Sequence, residues 1–392
     1  MMKNILTFIL AGGKGVRLYP LTKNRAKPAV PFMGVYRIID FVLSNAVNTG
    51  LRKIVLLTQY LSLSLDRHIR QGWDLFKYDV DGYLYPLPAQ QRYGERWYEG
   101  TADAVYQNIY TLQMERPEHL LILSGDHIYK MDYKFLIEQH IKKDADFTLV
   151  ALLYPRSESS RFGTLEINRE NRVTAFIEKP SNPPPYKKDE RFSLVNAGIY
   201  IAKTETIVKV LIEDAKNNYS SHDFGKDVIP KMISEGYKIY AYVFDGYWKD
   251  IGTLDSYFET NFDFLNDEEK PINLKDPDFP IRTYFPPLPP AHIKKGSDVL
   301  NSYIANGSEI NGARVINSII SPLVKIEKNA SVENSIIFER CVIGEGVRLK
   351  NIIIDKDNFI KEVDICENWK KYGLDLTEKN RVVVAKGWFK NA

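Results

Sequence analysis

Two aspartates stand out for where they fall. Asp126 follows directly on the apolar run "HLLILSG" (119–125), and Asp250 sits in "GYWKDIG" beside Trp248 and Lys249. A carboxylate just past an apolar strand can hold a hard cation such as Mg²⁺ at the open edge of a sheet, and two carboxylates suit one ion better than one. A third acid, Glu178, is followed by Lys179 in "FIEKP", at the end of another strand-like run. Near the N-terminus, "ILTFILAGGKGVRLYPLTKNRAKP" supplies the opposite charge. Its Gly12, Gly13 and Gly15 let backbone N–H groups approach an anion, and Lys14, Arg17, Arg25 and Lys27 are close by. The spacing fits neither the G-x-G-x-x-G dinucleotide fingerprint nor the G-x-x-x-x-G-K-[ST] P-loop. Carboxylates for a cation, with glycines and cations for phosphate, are the ingredients of metal-assisted transfer at phosphorus.

Such residues need elements to position them. "ILTFIL" (5–10), "KIVLLTQ" (53–59), the run at 119–125 and "DFTLVALLY" (146–154) are short, apolar or β-branched, and bounded by polar residues or glycine. Amphipathic stretches lie between them. In "YRIIDFVLSNAVNTG" (36–50), Ile39, Val42, Leu43, Ala46 and Val47 recur at helical spacing, and Gly50 suits a helix end. Alternating strands and helices, with strands apolar throughout, imply a largely parallel sheet covered on both faces. Ligands then bind beyond the carboxyl ends of the strands, where the glycines and Asp126 fall.

The texture changes at about residue 263. "NDEEKPINLKDPDFPIRTYFPPLPPAH" carries seven prolines and little periodicity, so 263–295 reads as a linker or strap. A repeat follows. "VLNSYI", "VINSII", "VENSII" and "LKNIII" begin at Val299, Val315, Val332 and Leu349, with Asn301, Asn317, Asn334 and Asn351 in register. A period of about 17 residues is close to three hexapeptides, one turn of a triangular, left-handed parallel β-helix. Its aliphatic residues would stack from turn to turn, with the asparagines forming a ladder at the corners. The division expected is 1–262 for an α/β domain, 263–295 for the strap and 296–392 for the β-helix.

Composition excludes other classes. Lys plus Arg total 53 against 50 Asp plus Glu, and no basic block is longer than a pair, which speaks against nucleic-acid binding. No stretch of about 18 apolar residues is present to span a membrane. The run Ile5–Leu10 is short for an export signal and lacks a small-x-small cleavage site. Cys341 and Cys366 provide neither a disulfide framework nor a cysteine zinc site. A soluble cytoplasmic protein is the expectation.

The segment "LAGGKGVRLYPLTKNRAKPAVPF" resembles the signature of sugar-nucleotide pyrophosphorylases. Taken with "WYEGTADAVYQN", "GDHIYKMDY", "RFG", "EKP", "SSHDFGKDVIP" and "GYWKDIGT", almost the whole chain resembles the bacterial ADP-glucose pyrophosphorylases, the glucose-1-phosphate adenylyltransferases. The resemblance implies a Rossmann-like, mostly parallel mixed sheet followed by the β-helix, assembled as a homotetramer. It implies transfer of an adenylyl group from ATP to α-D-glucose 1-phosphate with Mg²⁺ on Asp126 and Asp250. Ala11, Gly12, Gly13, Lys14, Gly15 and Arg17 would cradle the triphosphate, and Lys27 would face phosphate. Adenosine would lie near Gln90, Gln91 and Gly100–Thr101–Ala102. The sugar phosphate would meet Tyr98, Gly163, Glu178, Lys179, Asn196, Asp223 and Trp248, with Lys179 on its phosphate. His127 and His222 read as structural.

Two positions depart from the family's pattern. Asn196 stands where serine is usual, which bears on sugar choice. Val35 stands where many relatives carry a lysine associated with a phosphorylated sugar activator. A uridylyl- or guanylyltransferase would share the glycines and aspartates but not the long adenylyltransferase-like segments. An acetyltransferase β-helix lacks a base here, because His292 in the strap is the only histidine beyond residue 222. A non-catalytic regulatory subunit would have lost metal aspartates or loop cations, whereas Asp126, Asp250, Arg17 and Lys179 are all present.

Overall fold

Strands with no polar alternation must be buried on both faces, and a nine-stranded sheet does this. In the computed structural model, residues 2–92, 95–265, 271–363 and 365–389 are described; 266–270 of the expected strap and 390–392 of the expected repeat domain lie outside them. The sheet contains β1 (Ile5–Leu10), β2 (Lys53–Thr58), β3 (Tyr83–Pro88), β4 (His119–Ser124), β5 (Phe147–Pro155), β6 (Gly163–Ile167), β7 (Val173–Glu178), β8 (Phe192–Lys203) and β9 (Ile239–Val243). Its order is β7-β6-β8-β4-β1-β2-β3, and β5 joins β8 to β9 off this path. Strands β3, β2, β1 and β4 are mutually parallel, whereas β8 runs antiparallel to β4, β5 and β6. Alternate residues of β1 enter opposite layers: Ile5 and Ile9 pack into one core, Leu6 and Phe8 into the other. The strand–helix alternation predicts a largely parallel sheet; the antiparallel pairings of β8 and of β6 with β7 make it the mixed sheet that the resemblance implies.

The first long helix is shorter than its periodicity suggests, running Ile38–Asn48 rather than 36–50. Gly34 turns the chain with φ +77, so Tyr36 and Arg37 stay extended and pair antiparallel with Pro31 and Phe32. Fully buried Asp40 then ties three segments together. Its Oδ1 receives Trp73 Nε1 at 2.9 Å and lies 2.5 Å from His68 Nε2. Its Oδ2 accepts the Arg37 N–H at 2.8 Å and the strap hydroxyl of Thr283 at 2.6 Å.

Beyond the strap, short parallel strands stack in three sheets. Val299, Val315, Val332 and Leu349 form one column, and Ile304, Ile320, Ile337, Ile354 and Val384 another. This is the hexapeptide β-helix. Its asparagines adopt left-handed backbone at φ of 43, 45, 45 and 53, a conformation asparagine tolerates better than most residues. Asn301 donates to Asn317 at 3.0 Å and Asn317 to Asn334 at 2.6 Å.

The β-helix docks on the α/β domain through a shared core in which Phe32, Phe41, Tyr257 and Phe264 meet Ile319, Ile336 and Phe338. Buried Arg25 crosses this interface with a two-pronged bond to Asp355, at 2.8 and 2.9 Å. Sequence proximity assigned Arg25 to the phosphate loop. The turn at 21–26 instead aims it at the β-helix, with Nη1 also donating to the Leu21 carbonyl.

Candidate active site

The glycine loop and Asp126 leave the carboxyl ends of adjacent parallel strands, since Leu10 of β1 pairs with Ser124 of β4. Gly125 permits the close approach: its N–H bonds Leu10 O at 3.0 Å, and a β-carbon there would lie 3.0 Å from the same oxygen. Asp250 arrives on a separate ribbon, Trp248–Asp250, which pairs antiparallel with His127–Tyr129 and sets Asp250 opposite His127. Two carboxylates far apart in sequence therefore converge.

Between them lies Lys27. Its Nζ is 2.7 Å from Asp126 Oδ2 and 3.2 Å from Asp250 Oδ1, and the residue is 7% exposed. Burial works against the ammonium, but the two carboxylates outweigh it and raise the lysine above its ordinary pKa. Burial likewise works against a charged Asp126. Lys27 and His127, with hydrogen bonds from Lys27 and Ser124, nonetheless hold it well below the usual carboxylate range. The Ser124 hydroxyl donates to Asp126 Oδ1 at 2.5 Å.

A cavity of about 230 Å³ opens beside this cluster, lined among others by Gly13, Gly15, Arg17, Lys27, Asp126 and Gly252. Gly15 is left-handed at φ +62, and a β-carbon on it would press to 2.9 Å from Lys27 Cβ. Exposed Lys14 and Arg17 border the loop, while Ala11 is buried and anchored by its N–H to Leu57 O. Gly252 keeps room for Arg17: a β-carbon there would lie 3.3 Å from Arg17 Nη1 and 3.1 Å from Asp250 Oδ2. Gly12 faces Gln59, whose amide grips the backbone of Tyr98 from both sides, at 2.6 and 3.3 Å.

The other expected residues form a second cluster. Gly163 and Gly225 flank Glu178, and a β-carbon on either would come within 2.6 Å of Glu178 Oε2. Lys179 is 60% exposed at its side chain, with Nζ 3.3 Å from Glu178 Oε1. Asn196, at the irregularity in β8, gives its amide to Tyr200 OH at 2.7 Å and its carbonyl to the Gly198 N–H. Asp223 caps the helical turn after it through the N–H groups of Gly225 and Lys226, and its other oxygen accepts the Thr101 hydroxyl at 3.0 Å. Thr101 and Asp223 thus meet directly, although the resemblance places them with different substrates. Gly100 lies against His222 O, where a β-carbon would be only 2.1 Å away, and Ala102 N–H bonds that same oxygen. Gln90 is exposed and bonds Pro88 O. An aromatic wall bridges the clusters: Phe162, beside Gly163, packs on Trp248, and Trp248 packs on His127.

Sequence reasoning reads His127 as structural. The structure turns its Nε2 toward both carboxylates, at 3.5 and 3.8 Å. Among the described residues, Asp126, His127 and Asp250 each offer a ligand atom within 4.8 Å of the others. Two carboxylates and an imidazole, already neutralised in part by a buried ammonium, are a donor set that fits a divalent cation. Gln59, Ser124, Gly225 and Gly252 also escaped the sequence reading. Gly225 and Gly252 lie inside recognisable segments, but nothing local marks Gln59.

A sheet that delivers a glycine loop, cations and paired carboxylates to one edge defines a nucleotidyltransferase, and residues 6–267 match the nucleotidyl transferase family. Residues 289–381 match the GlmU-like C-terminal hexapeptide family. Glucose-1-phosphate adenylyltransferase 2 of Vibrio cholerae serotype O1 is 45% identical, over 99% of each chain. The Rhodopirellula baltica glucose-1-phosphate adenylyltransferase is 42% identical, over 99% of this chain and 91% of its own. Glucose-1-phosphate adenylyltransferase 1 of Vibrio parahaemolyticus is 40% identical, over 98% and 99%. The chain belongs to the glucose-1-phosphate adenylyltransferase family.

Proposed function

We propose that the chain catalyses ATP + α-D-glucose 1-phosphate ⇌ ADP-glucose + pyrophosphate, supplying ADP-glucose for α-glucan synthesis. The observation that carries this reading is the convergence of Asp126 and Asp250 beside the glycine-lined cavity. The two aspartates would hold Mg²⁺, with His127 within reach as a third ligand. A bound Mg²⁺ supplies charge neutralisation and Lewis acidity at the α-phosphate.

The chain itself must align two anions that repel each other. Backbone N–H groups of the loop from Gly12 to Gly15, with Arg17, receive the triphosphate and stabilise the pyrophosphate as it leaves. Lys179 holds the sugar phosphate as a compact cation, and Glu178, given room by Gly163 and Gly225, accepts sugar hydroxyls. The sugar phosphate oxygen is the nucleophile, so positioning and electrostatics are the chain's contribution and no side chain has to form a covalent bond. Gln59 fixes Tyr98, and Thr101 locks the adenosine-side helix onto Asp223. Asn196 is oriented by Tyr200 and Gly198 and keeps a second N–H and a second lone pair with which to meet a sugar hydroxyl.

A homotetramer with the β-helix as an assembly element, working in the cytoplasm, belongs to the same reading. Among the described residues no helix is long and apolar enough to cross a membrane. The decisive assay is pyrophosphate release from ATP, UTP and GTP with glucose 1-phosphate, with and without EDTA. ATP should dominate and EDTA should abolish release. Equal rates with UTP would refute the base assignment, and no release with any nucleotide would refute catalysis.

A further inference from the structure

Carboxylates arranged for a divalent cation repel each other when it is absent. Here that repulsion is answered from within the chain. Lys27 Nζ touches both carboxylates at 2.7 and 3.2 Å, and left-handed Gly15 leaves room for its stem, since a β-carbon on Gly15 would press to 2.9 Å from Lys27 Cβ. The outer methylenes carry the ammonium on rotatable bonds. The neighbouring cavity of about 230 Å³, with Lys27 on its wall beside Gly13, Gly15 and Arg17, is within the sweep of that side chain.

We propose that Lys27 is a built-in placeholder for the divalent cation: it occupies the carboxylate pair in the empty enzyme, and cation binding expels its ammonium into the phosphate cavity. The proposal rests on the reading of Asp126 and Asp250 as metal carboxylates. Lys27 holds Asp126 Oδ2 and Asp250 Oδ1, while His127 faces Asp126 Oδ1 and the same Asp250 Oδ1, so a dication reaching both carboxylates and His127 competes with the ammonium for that shared oxygen and repels its charge. Once expelled, the ammonium faces the cavity where the triphosphate would sit, and phosphate there stabilises its new position. Metal and nucleotide therefore reinforce each other through one side chain, and metal alone binds weakly. The sequence expectation that Lys27 faces phosphate describes the second position; the structure holds the first.

Two measurements on the full-length protein test this without relying on turnover. Mn²⁺ binding in the absence of nucleotide, followed by the spin-resonance signal of free Mn²⁺, should be about 10- to 100-fold tighter in Lys27→Met than in the wild type, the scale of one charge-assisted contact removed from the competition. Equal or weaker binding by Lys27→Met would overturn the placeholder while leaving the carboxylate site standing. No binding by either protein would overturn both. The second measurement needs no variant: amine acetylation of wild-type Lys27, read by peptide mass spectrometry, should rise several-fold when saturating Mg²⁺ is added. Unchanged labelling would overturn the expulsion.

Discussion

Two charged recesses of this molecule are built differently. At the strand ends the buried charges are acidic in balance, with Asp126 and Asp250 sharing Lys27, while exposed Arg17 stands on the rim. Between the domains lies a larger cavity of about 520 Å³, where, among the described residues, Arg25, Arg37, Arg67, Arg340, Lys356 and Lys386 line the wall with one acid, Glu339. The first recess lies within the α/β part of the chain, where a strand end, a separate two-stranded ribbon and the turn that carries Lys27 converge. The second exists only because the β-helix docks: Val35, Arg37 and Arg67 come from one domain, and Glu339, Arg340, Lys356 and Lys386 from the other. Both sites are made by tertiary packing, but the cation site is complete without the β-helix, whereas the basic cavity depends on its docking.

The sharpest way to break the comparison is to remove charge from the acidic recess. Asp126→Asn keeps shape but leaves Lys27 facing one carboxylate. The expected fall in kcat is about 10²–10⁴, the scale of losing a central electrostatic element. Steady-state pyrophosphate release checks it, and near-normal kcat would remove Asp126 from the metal site.

Next in size is the contact that holds the interdomain cavity together. Arg25→Ala leaves Asp355 buried and unpaired, which should cost about 3–5 kcal/mol by urea unfolding. Arg25→Met combined with Asp355→Leu should recover much of that loss, because an apolar pair needs no charge compensation. If Arg25→Ala unfolds at the wild-type midpoint, docking does not depend on the pair.

Legibility in the sequence divides along another line, between features set by near neighbours and contacts made across the fold. The aspartate after an apolar run, the glycines after β1 and the in-register asparagines announce themselves, because each is dictated by neighbours a few residues away. Lys27 between two carboxylates does not, since its partners lie 99 and 223 residues along the chain. Proximity to glycines pointed it, and Arg25, toward phosphate; Arg25 instead meets a residue 330 positions distant. His127 reads as a bystander until the ribbon pairing sets it opposite Asp250. Local rules describe strand ends and coil corners, and they are silent on which side chain crosses a gap.

A smaller effect probes the second cluster, across the aromatic wall from the acidic recess. Lys179 sits on left-handed backbone with its ammonium exposed and loosely paired to Glu178. Lys179→Gln should raise KM for glucose 1-phosphate about 10- to 150-fold, the scale of a lost charge-assisted bond, with little change in KM for ATP. Equal effects on both substrates would detach Lys179 from the sugar phosphate.

The smallest expected effect belongs to the basic cavity. The Val35 side chain lines it with neither a charge nor a hydrogen-bonding group, so activation by fructose 1,6-bisphosphate should be weak in the wild type. The cations already there are partly spent: Lys356 pairs with Glu339, and Arg340 and Lys386 share Asp357 at 2.6 and 3.5 Å. Val35→Lys adds a cation with no acid assigned to it, and half-activation should improve by about an order of magnitude. The response should also depend on pH. Burial first, then Arg37 and Arg25, bring the Lys356 pKa down to about 8 against the opposing pull of Glu339. Lys356 is therefore largely charged at pH 7, half-charged near pH 8 and largely neutral at pH 9, and anion binding should weaken as pH rises through that range. Titrating both proteins with the bisphosphate at pH 7 and pH 9, at subsaturating ATP, reads both effects. Strong activation of the wild type at micromolar effector would show that Arg37, Arg67 and their neighbours suffice without a cation at position 35.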